Sequence, residues 1–151
     1  MTQGSNTRRG LFAGTLGLTL LAGAANATPA AMSEQEKANL KLVDDFCAAW
    51  PAHDLSKIMA FFSDAPAYRQ SEGQAPAVGH DAVTAKIAAF VGNVAQFEVH
   101  DRWARGPMVV NERTDHFTGM RLKRWHGVGV FLVKEGKIVE WCDYTMDREV
   151  A

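Results

Sequence analysis

A chain of 151 residues, 47% apolar and 22% charged, has material for one globular domain, and its composition excludes collagen-like, disordered and disulfide-framework classes. Sixteen Lys and Arg against seventeen Asp and Glu leave a formal charge of -1, without the basic surplus that binding nucleic acid or an anionic membrane surface would call for. Two cysteines cannot build a structural zinc site; Cys47 and Cys142 lie singly in apolar segments, and whether they pair is left open.

In chain order, Thr7-Arg8-Arg9-Gly10-Leu11-Phe12 precedes an uncharged run of fifteen residues, Leu11 to Ala25, and then Ala25-Asn26-Ala27, a small-residue cleavage pattern. The segment resembles a twin-arginine export signal, because paired arginines before a short, Gly-containing apolar run are what that machinery reads and the run is too short to span a bilayer. The expected organisation is therefore a cleaved signal at 1–27, a linker at 28–32 and one domain at 33–151, periplasmic or secreted.

Ser33-Glu34-Gln35-Glu36 reads as a capping box, and Leu40, Val43, Phe46, Cys47 and Trp50 continue at helical spacing until Pro51 ends the helix. Asp54 caps a short second helix with Leu55, Ile58, Met59 and Phe62 on its apolar face, and Ser63-Asp64-Ala65-Pro66 is expected to break it. Tyr68 to Ser71 should be extended and Gly73 to Gly79 a loop. Val83, Ile87, Phe90 and Val91 describe a third helix capped by His80 or Asp81 and stopped at Gly92.

From Ala95 the apolar period becomes two, giving strand candidates at 96–104, 108–117, 127–134 and 137–146, with turns at Gly106-Pro107 and Glu135-Gly136. Helices followed by a meander predict an α+β domain in which three helices pack in a curved, mostly antiparallel sheet, leaving a cone to be filled by side chains or a ligand. Arg121 to His126 reads as a basic loop at its mouth.

Alternation along Asn111-Glu112-Arg113-Thr114-Asp115-His116-Phe117 puts Asn111, Arg113, Asp115 and Phe117 on one face; in the last strand Val139, Trp141 and Asp143 share a face. An inward Asp143 in an apolar cone needs a partner, and Arg113 in Arg-x-Asp can bridge two carboxylates. The plain alternative is a cross-strand surface ion pair with a solvated Asp. Tyr68 and Gln70 add hydrogen-bonding groups on a third extended segment. The five histidines lack metal-ligand spacing, and no G-x-S-x-G elbow is present, so neither a metal site nor a serine nucleophile is expected.

Asn111-Glu112-Arg113-Thr114-Asp115 together with Glu135-Gly136-Lys137-Ile138-Val139-Glu140-Trp141-Cys142-Asp143-Tyr144, extended back through Tyr68 and Gly79-His80-Asp81-Ala82-Val83, resembles the limonene-1,2-epoxide hydrolase family, of the cone-shaped NTF2-like fold. The resemblance implies a cofactor-independent addition of water to an apolar epoxide in one step. It implies that Asp143 takes the water's proton, that Tyr68 and Gln70 hold the water, that Asp115 protonates the epoxide oxygen and that Arg113 lies between the acids. The family has an Asn where this chain has Gln70, which shifts the amide by about one bond. A homodimer is implied as well. The apolar walls are expected among Leu40, Phe46, Trp50, Phe90, Phe97, Trp103, Phe131, Leu132 and Trp141, with Trp141, Phe117 and Trp50 against substrate. The rival readings are an isomerase or polyketide cyclase of the same fold, which needs one carboxylate, and a non-enzymatic binder of apolar small molecules, which needs none.

Overall fold

The computed structural model describes residues 31–151, so the expected export signal lies outside the described residues. Helix α1 (Glu34–Ala49) starts on the anticipated capping box: Ser33 Oγ accepts from the Glu36 amide, and Glu36 Oε2 accepts from the Ser33 N–H at 2.7 Å. The other Glu36 oxygen accepts from Gly106 N–H at 2.8 Å, and Asn39 donates to Gly106 O at 3.0 Å, pinning α1 to a turn of the sheet. Pro51 ends the helix by opening a 3-10 turn over Trp50–Ala52. Asp54 caps α2 (Leu55–Met59) through the Lys57 amide at 3.1 Å.

Here the structure departs from expectation. Ser63-Asp64-Ala65-Pro66 does not break the helix, which already ends at Met59; it lies, with Phe62, inside strand β1 (Phe62–Arg69), which joins the sheet parallel to its last strand and carries Tyr68. Pro66 is tolerated because a register irregularity between Phe62 and Ala67 interrupts the ladder there. The expected loop contains a two-residue strand β2 (Ala77–Val78). Helix α3 (His80–Ala88) has Gly79 at its N-cap with no side-chain cap, so His80 and Asp81 belong to its first turn.

Strands β3 (Val94–Arg105), β4 (Met108–Phe117), β5 (Leu122–Lys134) and β6 (Lys137–Val150) complete a six-stranded sheet in the order β2-β1-β6-β5-β4-β3, antiparallel except at β1–β6. The β5–β6 turn is Glu135-Gly136, both at positive φ, as a tight hairpin that follows strand twist requires. The basic segment from Leu122 is strand rather than loop. The core lies between the helices and the concave face, where Phe46 contacts Trp50, Phe62, Phe131 and Trp141 edge-on.

Among the β-bulges of the antiparallel pairs, three re-aim side chains that bear on the site. An extra residue at His100 turns Arg102 toward the helices, where it pairs with Asp44 at 2.7 Å, and turns Trp103 outward to 47% exposure, so Trp103 is not a wall. One at Val139 puts Ile138 in the core, with Val139 lining an open surface groove instead of sharing the inner face with Trp141. The third, at Met146, reverses the facing of the end of β6. Leu132 is only half-buried beside fully buried Phe131, as alternation within β5 dictates, and is no wall either.

Candidate active site

Adjacent strands β4, β5 and β6 carry the site in two registered rows, Asn111–Gly129–Asp143 and Asp115–Trp125–Arg148. Arg113, fully buried, lies on the concave face of β4 between Asn111 and Asp115. Its Nε donates to Asp115 Oδ1 at 2.9 Å and its Nη2 to Asp115 Oδ2 at 3.3 Å; Nη2 also donates to Asp143 Oδ1 at 2.9 Å, and Nη1 to Asn111 Oδ1 at 3.1 Å. The rings of Phe97, Trp125 and Trp141 lie 4.9, 4.9 and 5.4 Å from the guanidinium carbon. One cation in an aromatic box thus holds two carboxylates.

Glycine makes the space. A Cβ at Gly129 would overlap Arg113 Nη1 and stand 2.7 Å from Asn111 Oδ1, and one at Gly127 would overlap the Trp125 ring. Alternating glycines inside an apolar strand were the available signal for a close approach, and the sequence reading passed over them. It also missed Trp125, which it placed in a loop, and the contact of Asn111 with Arg113.

The two acids differ in their partners. Asp143, 4% exposed, accepts from Arg113, from Trp141 Nε1 at 2.7 Å and from the Tyr68 hydroxyl at 3.3 Å. Asp115, 5% exposed, accepts from Arg113 alone among the described residues. Burial pushes the Asp115 carboxyl up to about 7, against the pull of Arg113 and with the help of the Asp143 charge. Burial raises Asp143 too, while Arg113, Trp141 and Tyr68 all favour its ionised form. Two acids on one buried cation cannot both ionise cheaply, and the donor count assigns the charge to Asp143 and the proton to Asp115. Burial and the Asp143 charge hold the Tyr68 phenol well above its usual range, so it stays a donor. The Cys47 thiol, which accepts from Asn111 at 3.4 Å, is pushed by burial to about 12 and stays unionised; both cysteines are free.

Both carboxyls face a chamber of about 50 Å³, whose walls include Tyr68, Gln70, Phe97, Phe117, Trp125 and Trp141. That is room for one or two waters at about 30 Å³ each. Gln70, Leu122 and Trp125 also line an outer hollow of about 440 Å³, the vestibule. A larger groove of about 580 Å³ around Met59, His80 and Lys137 contains neither Asp115 nor Asp143.

Tyr68, Arg113, Asp115 and Asp143 are thus joined by direct hydrogen bonds, while Gln70 lines the chamber without bonding to them. Trp141 and Phe117 are walls. Trp50 is not: the end of α1 drives it wholly into the core, where it stacks behind Phe90 at 5.3 Å and Phe97 at 4.7 Å, one layer from the chamber. Among the described residues no cluster of three His, Cys, Asp or Glu is arranged to hold a metal ion.

A family model described as SnoaL-like domain matches residues 43–141. Among solved structures, an M. tuberculosis LEH-like epoxide hydrolase is 26% identical with a TM-score of 0.64, over 73% of this chain and 84% of that one. An NTF-2 like protein of unknown function from Burkholderia xenovorans is 18% identical with a TM-score of 0.65, over 79% and 91%. A candidate ketosteroid isomerase from Kribbella flavida is 13% identical with a TM-score of 0.64, over 75% and 81%. The last two likenesses show the fold alone.

Proposed function

The chain belongs to the SnoaL-like domain family, and from the acid pair it buries we propose that it hydrates an epoxide to a vicinal diol in one step, using no cofactor. The observation that carries this reading is Asp115 and Asp143 held on one buried Arg113 at a water-sized chamber. Epoxide opening needs a base for the incoming water and an acid for the departing oxygen at the same moment, and two carboxyls in opposite protonation states supply both. Ionised Asp143 takes a proton as water attacks an oxirane carbon; protonated Asp115 gives one to the oxygen as the carbon–oxygen bond breaks. The carboxyls exchange states in each turnover, and a proton returning through chamber water resets them. Tyr68 and Gln70 orient the water. The likeness to the M. tuberculosis LEH-like epoxide hydrolase supports the reading. A proton-shuttling isomerase would use one carboxylate, and a passive apolar binder would have no use for a buried acid pair.

Diol formation from a panel of small epoxides tests the reading, with Asp143→Asn as the key variant. The amide fills the same volume but cannot take the proton, so the rate is expected to fall about 10²–10⁴-fold with the fold retained. Near-normal turnover by folded Asp143→Asn would overturn the assignment.

The one-step route has its own test. A single turnover with excess enzyme in oxygen-18 water is expected to put heavy oxygen in the diol and none in the peptide containing Asp143. An unlabelled first-turnover diol with a gain of about 2 Da on that peptide would show an ester intermediate instead.

A further inference from the structure

The chamber of about 50 Å³ has room only for the reacting end of a substrate, so the rest of any substrate must occupy the vestibule. That vestibule is not apolar. Beside Leu122, Trp125 and Val150 it is lined by Gln70, Ser71, Gln74, Thr145, Arg121 and Arg148.

Arg148 is there because of a bulge. Asp143 and Thr145 face inward, and strict alternation would bring Asp147 inward next and send Arg148 out. The extra residue at Met146 reverses this: Asp147 pairs with His126 and bonds to it on the convex face, and Arg148 falls opposite Trp125 on the concave one. Bulges beside sites commonly re-aim a side chain in this way. Asp115, Trp125 and Arg148 then lie in one row across three strands, which places the backbones of Asp115 and Arg148 on the order of 10 Å apart.

The rim is cationic. Neither Arg121 nor Arg148 lies within ion-pair distance of a carboxylate among the described residues, whereas neighbouring Arg124, facing the other way, pairs with Asp147 at 2.7 Å. Lys86 reaches the rim through neutral Gln74 at 3.1 Å. The nearby acid Glu72 feels the Arg148 charge but spends its carboxylate on the Thr145 amide at 3.3 Å. Two arginines line the mouth and no carboxylate side chain is among its lining residues, which favours an anion there.

We propose that the substrate is an epoxide bearing a carboxylate, with the oxirane at Asp115 and Asp143 and the carboxylate engaged by Arg148, seconded by Arg121. This rests on the hydration reading above and narrows its substrate class.

The test compares 5,6-epoxyhexanoate with its neutral isostere 5,6-epoxyhexanamide. The carboxylate is expected to have a kcat/KM at least about tenfold higher, the value of one charge-assisted contact. Arg148→Gln should bring the ratio toward one, and Arg148→Lys should restore part of it. Equal kcat/KM in the wild type, or an unchanged ratio in Arg148→Gln, would overturn the proposal. If neither epoxide is hydrated, the hydration reading fails, and the mouth is judged by binding alone from the change in tryptophan fluorescence. Hexanoate binding about tenfold tighter than hexanamide, and weakened by Arg148→Gln, would support the anion site; equal binding would refute it.

Discussion

At the scale of single residues, Asp115 is the group whose surroundings set the response to pH. Its ordinary pKa would be about 3.9. Buried, with one guanidinium as its donor and the Asp143 charge nearby, its carboxyl is pushed up to about 7. In the proposed reaction Asp115 must carry its proton as the acid, so kcat is expected to fall as pH rises through about 7, and Asp143 must be ionised as the base, so kcat is expected to fall again on the acid side. A bell results, and its limbs belong to the coupled pair rather than to either residue alone. A pH–rate profile that stays flat from pH 6 to about 9 would remove Asp115 from the acid's role. Asp143 differs by its two extra donors, Trp141 Nε1 and the Tyr68 hydroxyl, which favour its ionised form at a pH where Asp115 is still protonated.

At the scale of elements, β5 makes the site possible by leaving room for it. Gly129→Ala would drive a methyl group into Arg113 Nη1, and the guanidinium cannot yield without loosening Asp115 and Asp143. Overpacking of this kind costs about 1–3 kcal/mol, and kcat in the folded fraction is expected to drop at least about tenfold. Gly73→Ala, at a loop position with nothing within 4 Å, should change neither quantity. Thermal unfolding and turnover measured together separate the two effects. The capping box at Ser33, the Asp54 cap, both hairpin turns and the inward face of β4 were legible in the sequence because each depends on residues a few positions apart. The bulges were not. An extra residue at His100, Val139 or Met146 is defined by the partner strand's register, so alternation counted along one strand misplaced Trp103 and Val139 and gave no hint of Arg148. The parallel β1–β6 pairing was hidden for the same reason: Pro66 reads locally as a breaker, and its place in a strand depends on residues more than seventy positions away. Trp50 shows a third limit, since helical spacing indicates that it is inward but not how deep.

At the scale of the whole molecule, the buried cluster is a cost to the fold. With Asp115 protonated, Arg113 and Asp143 balance; with Asp115 ionised, the interior holds two negative charges against one positive. Because the folded-state pKa of Asp115 is raised above its unfolded value, the folded protein binds the extra proton between pH of about 4 and about 7. Its contribution to stability is therefore fully present below about pH 4, is lost as pH rises through that window, and is gone above about pH 7. Asp115→Asn removes the titration while keeping an oxygen for the Arg113 Nε donor, so the variant should lack this loss. Relative to the wild type it is expected to gain on the order of 1–3 kcal/mol of stability between pH 5 and pH 8. The same variant should hydrate epoxides poorly at both pH values, since the amide is not an acid that can release the oxirane oxygen. Urea unfolding of both proteins at pH 5 and pH 8 decides the point. A stability difference that does not change with pH would mean that Asp115 stays ionised throughout, and the proton assigned to it would have to be placed elsewhere in the cluster.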